Sequence, residues 1–155
     1  MTMVFHKESK KTSVQAKSID KLTAIVPAEV LLQAPKRAEL LGRTRQKCGL
    51  PTPRWESLVQ PAIHNLSQSC QHLPFPIYRY YSKKDGWLDY ALFRAEAALS
   101  LFKEYAIDSE EEPLTDEQQL WEYALFTAAL LQGLGRFYSE FQVEVYDAQG
   151  HFLKK

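Results

Sequence analysis

After Gly86, the apolar residues Leu88, Ala91, Leu92, Ala95, Ala98, Leu99 and Phe102 recur at helical spacing and predict a long amphipathic helix to about Tyr105. Its polar side carries Asp89, Arg94, Glu96 and Lys103. A second block, from Leu120-Trp121 through Ala124-Leu125-Phe126 to Leu130-Leu131, is the most apolar in the chain and predicts a central, nearly all-round buried helix. Thr115 with Gln118 three residues on forms a capping-box pattern at its start, and Gly133 and Gly135 are positioned to end it. Upstream, Pro27-Ala28-Glu29 opens a short helix through Leu32, and Pro35 to Lys47 reads as another. There Ala38, Leu41, Arg45 and Cys48 share a stripe, while the opposite face is dense in Lys and Arg. Leu58, Ala62, Leu66, Cys70 and Leu73 mark a further helix that Pro61 kinks or restarts.

The period changes to two near the end. Phe141, Val143 and Val145 alternate with Gln142, Glu144 and Tyr146, and Asp147-Ala148-Gln149-Gly150 is a turn, so a hairpin follows. At the other end, residues 1–22 are polar and rich in Lys and Ser, which predicts a mobile basic arm. Residues 23–155 are then expected to form one domain, or the front part of a longer chain. The aromatic, proline-rich run from Leu73 to Tyr81 reads as extended loop.

Composition adds little to this outline. With 155 residues and 45% apolar content one respectable core can be buried, and the net charge is zero. No apolar run approaches the ~20 residues that span a bilayer. Cys48 and Cys70 match no metal or redox spacing. The charge is nonetheless uneven: the first 50 residues are mainly basic, whereas Glu104 to Glu122 holds only acids. A solvated tail and an acidic loop account for this, as would two ends that address different partners.

Two segments carry more specific information. Leu130-Leu131-Gln132-Gly133-Leu134-Gly135-Arg136 resembles the Leu-Leu-His-Asp-Leu-Gly-Lys segment of HD-type domains at the front of conjugative relaxases of the MobH, or TraI-type, class. Gly86-Trp87-Leu88-Asp89-Tyr90 is similar to that family's Gly-Leu-Leu-Asp-His, which follows a loop bearing several His. Gly49-Leu50-Pro51 and Trp121-Glu122-Tyr123-Ala124-Leu125-Phe126 are further matches. The fold implied is mostly α: an HD-domain-like helical bundle with a short C-terminal β-hairpin.

The same comparison implies a lost metal site. Activating water takes imidazole nitrogens and a carboxylate converging on one ion. Here Tyr90, Gln132 and Gly133 stand at the matching positions, and the loop holds Arg79, Tyr80 and Tyr81 instead of His. An amide, a glycine and a phenol that ionises near pH 10 do not make that set. His6, His64, His72 and His151 all lie elsewhere. The resulting expectation is a non-catalytic pseudo-HD domain with no cofactor, no metal and no catalytic residue. It would be a scaffold or adaptor among other proteins of a conjugation or type IV secretion apparatus, near its coupling complex. It would be cytoplasmic and bacterial, reaching the inner face of the inner membrane through partner proteins without inserting. Tyr78, Arg79, Tyr80 and Tyr81 are the candidate partner surface, because Tyr and Arg dominate interface hot spots; filling the void left by the metal is the other reading of the rings. A second hypothesis is a DNA-processing accessory domain of a relaxase, with Lys36 to Lys47 on phosphates. A third, a phosphohydrolase using other ligands, is opposed by the missing His and Asp.

Overall fold

The computed structural model describes residues 2–6, 22–75, 78–106 and 113–154. The expected arm over 7–21 and most of the acidic loop, 107–112, lie outside the described residues. Two compact units emerge: Met1–Val26 with Gly133–Lys155, and Pro27–Gln132.

The smaller unit holds β1 (Thr2–His6), β2 (Thr23–Ala24), α7 (Gly135–Glu140), β3 (Gln142–Tyr146) and β4 (Phe152–Lys154). Its sheet is antiparallel throughout, in the order β2-β1-β3-β4. The C-terminal hairpin is as expected. The Asp147 carboxylate accepts the backbone N–H groups of Gln149 at 2.9 Å and His151 at 2.8 Å, and Gly150 supplies a φ of 85°. Thr2–His6 is a strand whose register sets Met3 and Phe5 opposite Val145 and Val143. The run Thr-Met-Val-Phe has good strand propensity, and β3 supplies the pairing edge that the sequence alone does not reveal.

Among the described residues, the regular elements of the larger unit are helices: α1 (Ala28–Leu32), α2 (Pro35–Lys47), α3 (Thr52–Arg54), α4 (Gln60–Cys70), α5 (Gly86–Ala106) and α6 (Asp116–Leu131). Trp87, Leu88, Leu99, Phe126, Leu130, Val59 and Cys70 fill its core. Ala91 and Ala95 are fully buried along α5, where small side chains let neighbouring helices approach. The capping box forms as expected, with Thr115 Oγ1 accepting from Gln118 N–H and Gln118 Oε1 from Thr115 N–H.

Three helical details depart from the periodic reading. Trp55–Val59 joins α3 to α4 as a π-helical turn, and Gln60 N–H bonds Trp55 O five residues back. Pro61 has no N–H and its ring would crowd the carbonyl of Ser57, so the ladder widens upstream of it while the helix continues. The inward stripe therefore becomes Trp55, Val59, Ile63, Leu66 and Cys70, leaving Leu58 exposed. On α2 the buried positions are Arg37, Leu40 and Thr44, one residue off the expected stripe. The third departure is α6, which is not buried all round: Gln119, Glu122, Phe126 and Leu130 face in, while Leu120 and Trp121 are 66% and 62% exposed. Gly135 does not end a helix either; it starts α7.

Candidate functional site

The loop from Cys70 to Gly86 is held at both ends by unusual backbone. His72 and Asp85 have φ of 68° and 60°, in the left-handed region that costs a non-glycine residue energy. Each is fixed by the other: the Asp85 carboxylate accepts the His72 backbone N–H at 2.7 Å and lies 3.3 Å from His72 Nδ1. Arg37, from α2, reaches across to the same place. Its Nη2 sits 3.2 Å from Asp85, its Nε 2.7 Å from Asp89, and its Nη1 donates to Leu31 O at 2.9 Å. Burial pushes the Asp85 carboxyl up, but the His72 N–H and the Arg37 guanidinium outweigh it and hold the group below its ordinary value. Asp89 also faces Lys83 at 3.6 Å.

Above this ion cluster lies an aromatic one. The Tyr90 ring stacks on Phe75 with centroids 4.4 Å apart and touches Tyr81 at 5.0 Å and Tyr78 at 5.1 Å. Phe75 meets Trp87 edge-on at 4.7 Å, and its N–H bonds Tyr81 O at 2.8 Å, so the loop folds back over the start of α5. Burial, with Tyr78 beside it, raises the Tyr90 phenol further above its usual value. At neutral pH it is a protonated phenol.

Gln132 joins this group through a residue outside the recognised motifs. The Arg94 guanidinium lies 4.6 Å from the centre of the Tyr90 ring and donates to Gln132 Oε1 at 3.0 Å and Gln132 O at 2.8 Å. Its Nε is buried without a hydrogen-bond partner, the one such side-chain atom among the described residues. Burial lowers the Arg94 pKa, opposed by the neighbouring tyrosines. Tyr90 and Gln132 are thus brought together by a fixed protein cation. Gly133 has a φ of 88°, which disfavours any residue with a side chain there. Among the described residues no group of three or more His, Cys, Asp or Glu side chains is placed to hold a metal ion.

The candidate partner residues divide by exposure. Arg79–Tyr81 forms a 3-10 turn within the expected extended loop. Tyr81 and Tyr90 are half-buried in the aromatic cluster, whereas Arg79 is exposed and Tyr80, 66% exposed, packs edge-on against Tyr81 beneath Lys83. Exposed Tyr78 still stacks on Phe75.

The basic face of α2 is largely turned to internal partners. Besides Arg37, Lys47 pairs with the buried Glu96 and bonds Ser100, and Arg43 bridges Glu39 and Glu96. Arg45 donates to Cys48 O, Leu50 O and Thr52 Oγ1. Asp89 and Glu96 are therefore not the solvated residues expected on α5. Glu122 is a further surprise. It is 1% exposed and accepts the Gly49 N–H at 2.8 Å, with Cys48 Sγ at 3.6 Å. Burial raises its carboxyl above the ordinary value despite these donors, and pushes the Cys48 thiol to about 12.

A carboxyl whose folded pKa is raised contributes stability below its unfolded pKa, and that contribution is lost as pH rises through the folded value. Glu122→Gln retains an acceptor for Gly49 N–H and cannot ionise. Its stability relative to the wild type is expected to increase between about pH 4 and pH 8, as read by urea unfolding at several pH values. A constant difference across that range would show that Glu122 is accommodated as a carboxylate.

No signal in the sequence singles out Arg37, Asp85 or Glu122. Arg94 had one weak signal, its place four residues after Tyr90 on the same helix face.

What the fold and site define is a mostly helical protein with a small antiparallel sheet, in which the Arg94 guanidinium links Tyr90 and Gln132. The TraI_2 family model, described as "Putative helicase", matches residues 22–153, and the chain belongs to that family. The family is conjugation-related and associated with relaxases and helicases. No curated protein and no solved structure matches the chain. No helix among the described residues is long and apolar enough to cross a membrane.

Proposed function

We propose that this domain is a pseudo-HD module without metal chemistry, serving as a scaffold or adaptor among the proteins of a conjugation or type IV secretion apparatus. The observation that carries the reading is Arg94. A guanidinium that stacks on Tyr90 and chelates Gln132 supplies positive charge beside the positions where the resembling enzymes would bind a cation. A second cation would meet repulsion rather than ligands there. The exposed Arg79 and Tyr80, with Trp121 and Leu120 on α6, offer the large amphipathic and apolar groups that anchor protein interfaces. The 155 residues contain no glycine-rich phosphate loop ending in Lys and Ser or Thr, so helicase-type nucleotide binding would require other residues.

Elemental analysis of the purified protein is expected to find no stoichiometric zinc, iron or manganese. Tyr90→His with Gln132→His and Gly133→Asp is expected to remain metal-free while Arg94 is present. Near-unit metal in the wild type, lost on Gln132→Ala, would overturn the proposal. For the adaptor role, Arg79→Ala with Tyr80→Ala should leave the fold intact and abolish co-purification with secretion partners, since hot-spot truncations cost about 2 kcal/mol or more each. Unchanged co-purification would remove this surface from the proposal. The relaxase-accessory reading keeps support from the family's association with helicases and relaxases. Against it, the paired charges of α2 leave that helix a poor phosphate-binding face; a steep salt dependence of DNA affinity would favour it.

A further inference from the structure

The outer side of α5 and α6 is apolar and open. On α6 the inward positions are Gln119, Glu122, Phe126 and Leu130. The opposite stripe reads Trp121, Ala124, Ala128 and Leu131 at helical spacing, with Leu125 beside it. On α5, Phe93, Ala97 and Leu101 follow one another four residues apart, outside the buried face. Arg94, near the start of α5, bonds Gln132, just past the end of α6, so the two helices lie side by side and antiparallel. Equal rise along both brings Leu101 level with Leu125 and Tyr105 level with Trp121. The two stripes form one face, in which large side chains surround the small Ala97 and Ala128.

Phe93, Leu101, Tyr105, Trp121, Leu125 and Leu131 are each 40–78% exposed. Together they leave open on the order of 700 Å², close to the ~800 Å² that each partner gives a standard interface and above the ~300–600 Å² of the largest patch on a typical monomer. The middle of the face is uncharged. Ala97 to Phe102 contains no charged residue, and in Gln118 to Leu131 the one that occurs, Glu122, is buried. Charge stands at the two ends, with opposite sign. Arg94 marks one end and has no carboxylate partner among the described residues. At the other, ~15 Å along α5, Glu104 and Glu117 are exposed and have no ion pair among the described residues.

We propose that this face pairs with the same face of a second copy of the chain, as a two-fold dimer whose helices run in opposite directions across the interface. A two-fold contact sets a patch against itself, so a charged centre would repel its own image; this centre is apolar. Reversing the second copy carries each Arg94 end over the other copy's Glu104 and Glu117. The parallel arrangement would set like charges together and is disfavoured. Arg79 and Tyr80 lie outside this face and stay free for other proteins.

The test is sedimentation equilibrium of the full chain from about 1 to about 100 μM. The wild type is expected to sediment as two chains of 17.9 kDa each, with a Kd in roughly the micromolar range or below. Leu101→Glu with Leu125→Glu, both at exposed positions, should keep the helical circular dichroism and sediment as a single chain. Glu104→Lys with Glu117→Lys leaves the apolar centre untouched and should raise the Kd about tenfold or more at low salt. A wild type that stays a single chain at about 100 μM overturns the proposal and leaves the face to a different protein. So does a dimer that survives Leu101→Glu with Leu125→Glu, or a Kd unmoved by the charge reversal. The measurement reads mass in the purified chain alone, so its outcome is independent of the pseudo-HD reading, which metal content and secretion partners test.

Discussion

Arg37→Gln is expected to lower the stability of the helical unit by about 3–5 kcal/mol, the usual result of removing one partner from a buried ion pair. For a chain of this length that corresponds to a fall in Tm of roughly 10 °C. Arg37 and Asp85 side chains are only 11% and 13% exposed, so water replaces the guanidinium poorly at Asp85, while Asp89, 22% exposed, keeps Lys83 at 3.6 Å. The lost donor to Leu31 O adds to the cost. The pH dependence gives a second readout. Because the folded Asp85 carboxyl sits below its ordinary value, its contribution is complete above the unfolded pKa of about 3.9 and is lost as pH falls through the lower folded value. Without Arg37 that contribution disappears, so the gap between variant and wild type should narrow as acid protonates Asp85. Asp85→Asn with Asp89→Asn should restore part of the stability of Arg37→Gln. A deficit under about 1 kcal/mol at neutral pH would mean that the pairs behave as surface salt bridges.

Gly86→Ala is expected to be comparably damaging for a different reason. A Cβ at this position would lie 1.7 Å from Tyr81 O and 2.6 Å from the Tyr81 carbonyl carbon. Both atoms are backbone, and Tyr81 O also accepts the Phe75 N–H, so the clash cannot be relieved by a side-chain rotation. Relief requires the loop to lift from α5, separating Phe75 and Tyr81 from Tyr90. A loss on the order of 3 kcal/mol is expected, with a collapse of the near-UV circular dichroism from the stacked rings. Gly42→Ala is the matched control. Nothing lies within 4 Å of its Cβ position in the middle of α2, so alanine there should stabilise by about 0.5–1 kcal/mol. If Gly86→Ala behaved like Gly42→Ala, the close approach of the loop to α5 would be refuted.

The readable parts of the fold are those that short-range chemistry governs. The spans of α2, α5 and α6, the Thr115–Gln118 capping box and the hairpin around Asp147–Gly150 all depend on contacts within a few residues. Tyr90, Gln132 and Gly133 could be singled out because the motifs around them are contiguous. How they relate in space could not. Arg94 and Gln132 are 38 residues apart, and only the packing of α5 on α6 makes the guanidinium the link between Gln132 and Tyr90.

By itself the sequence determined helix spans, the capping box and the final hairpin. The tertiary structure decided which charges are spent inside. Arg37 belongs to a basic face in sequence and to Asp85 and Asp89 in space; Glu122 belongs to an acidic stretch in sequence and to Gly49 in space. It also decided that α6, the most apolar helix by sequence, is covered only in part. Hydrophobic periodicity records a preference for burial, but burial requires a neighbouring element, and charge pairing requires a partner within about 4 Å. Both are properties of segments distant along the chain, on which local propensity carries no information.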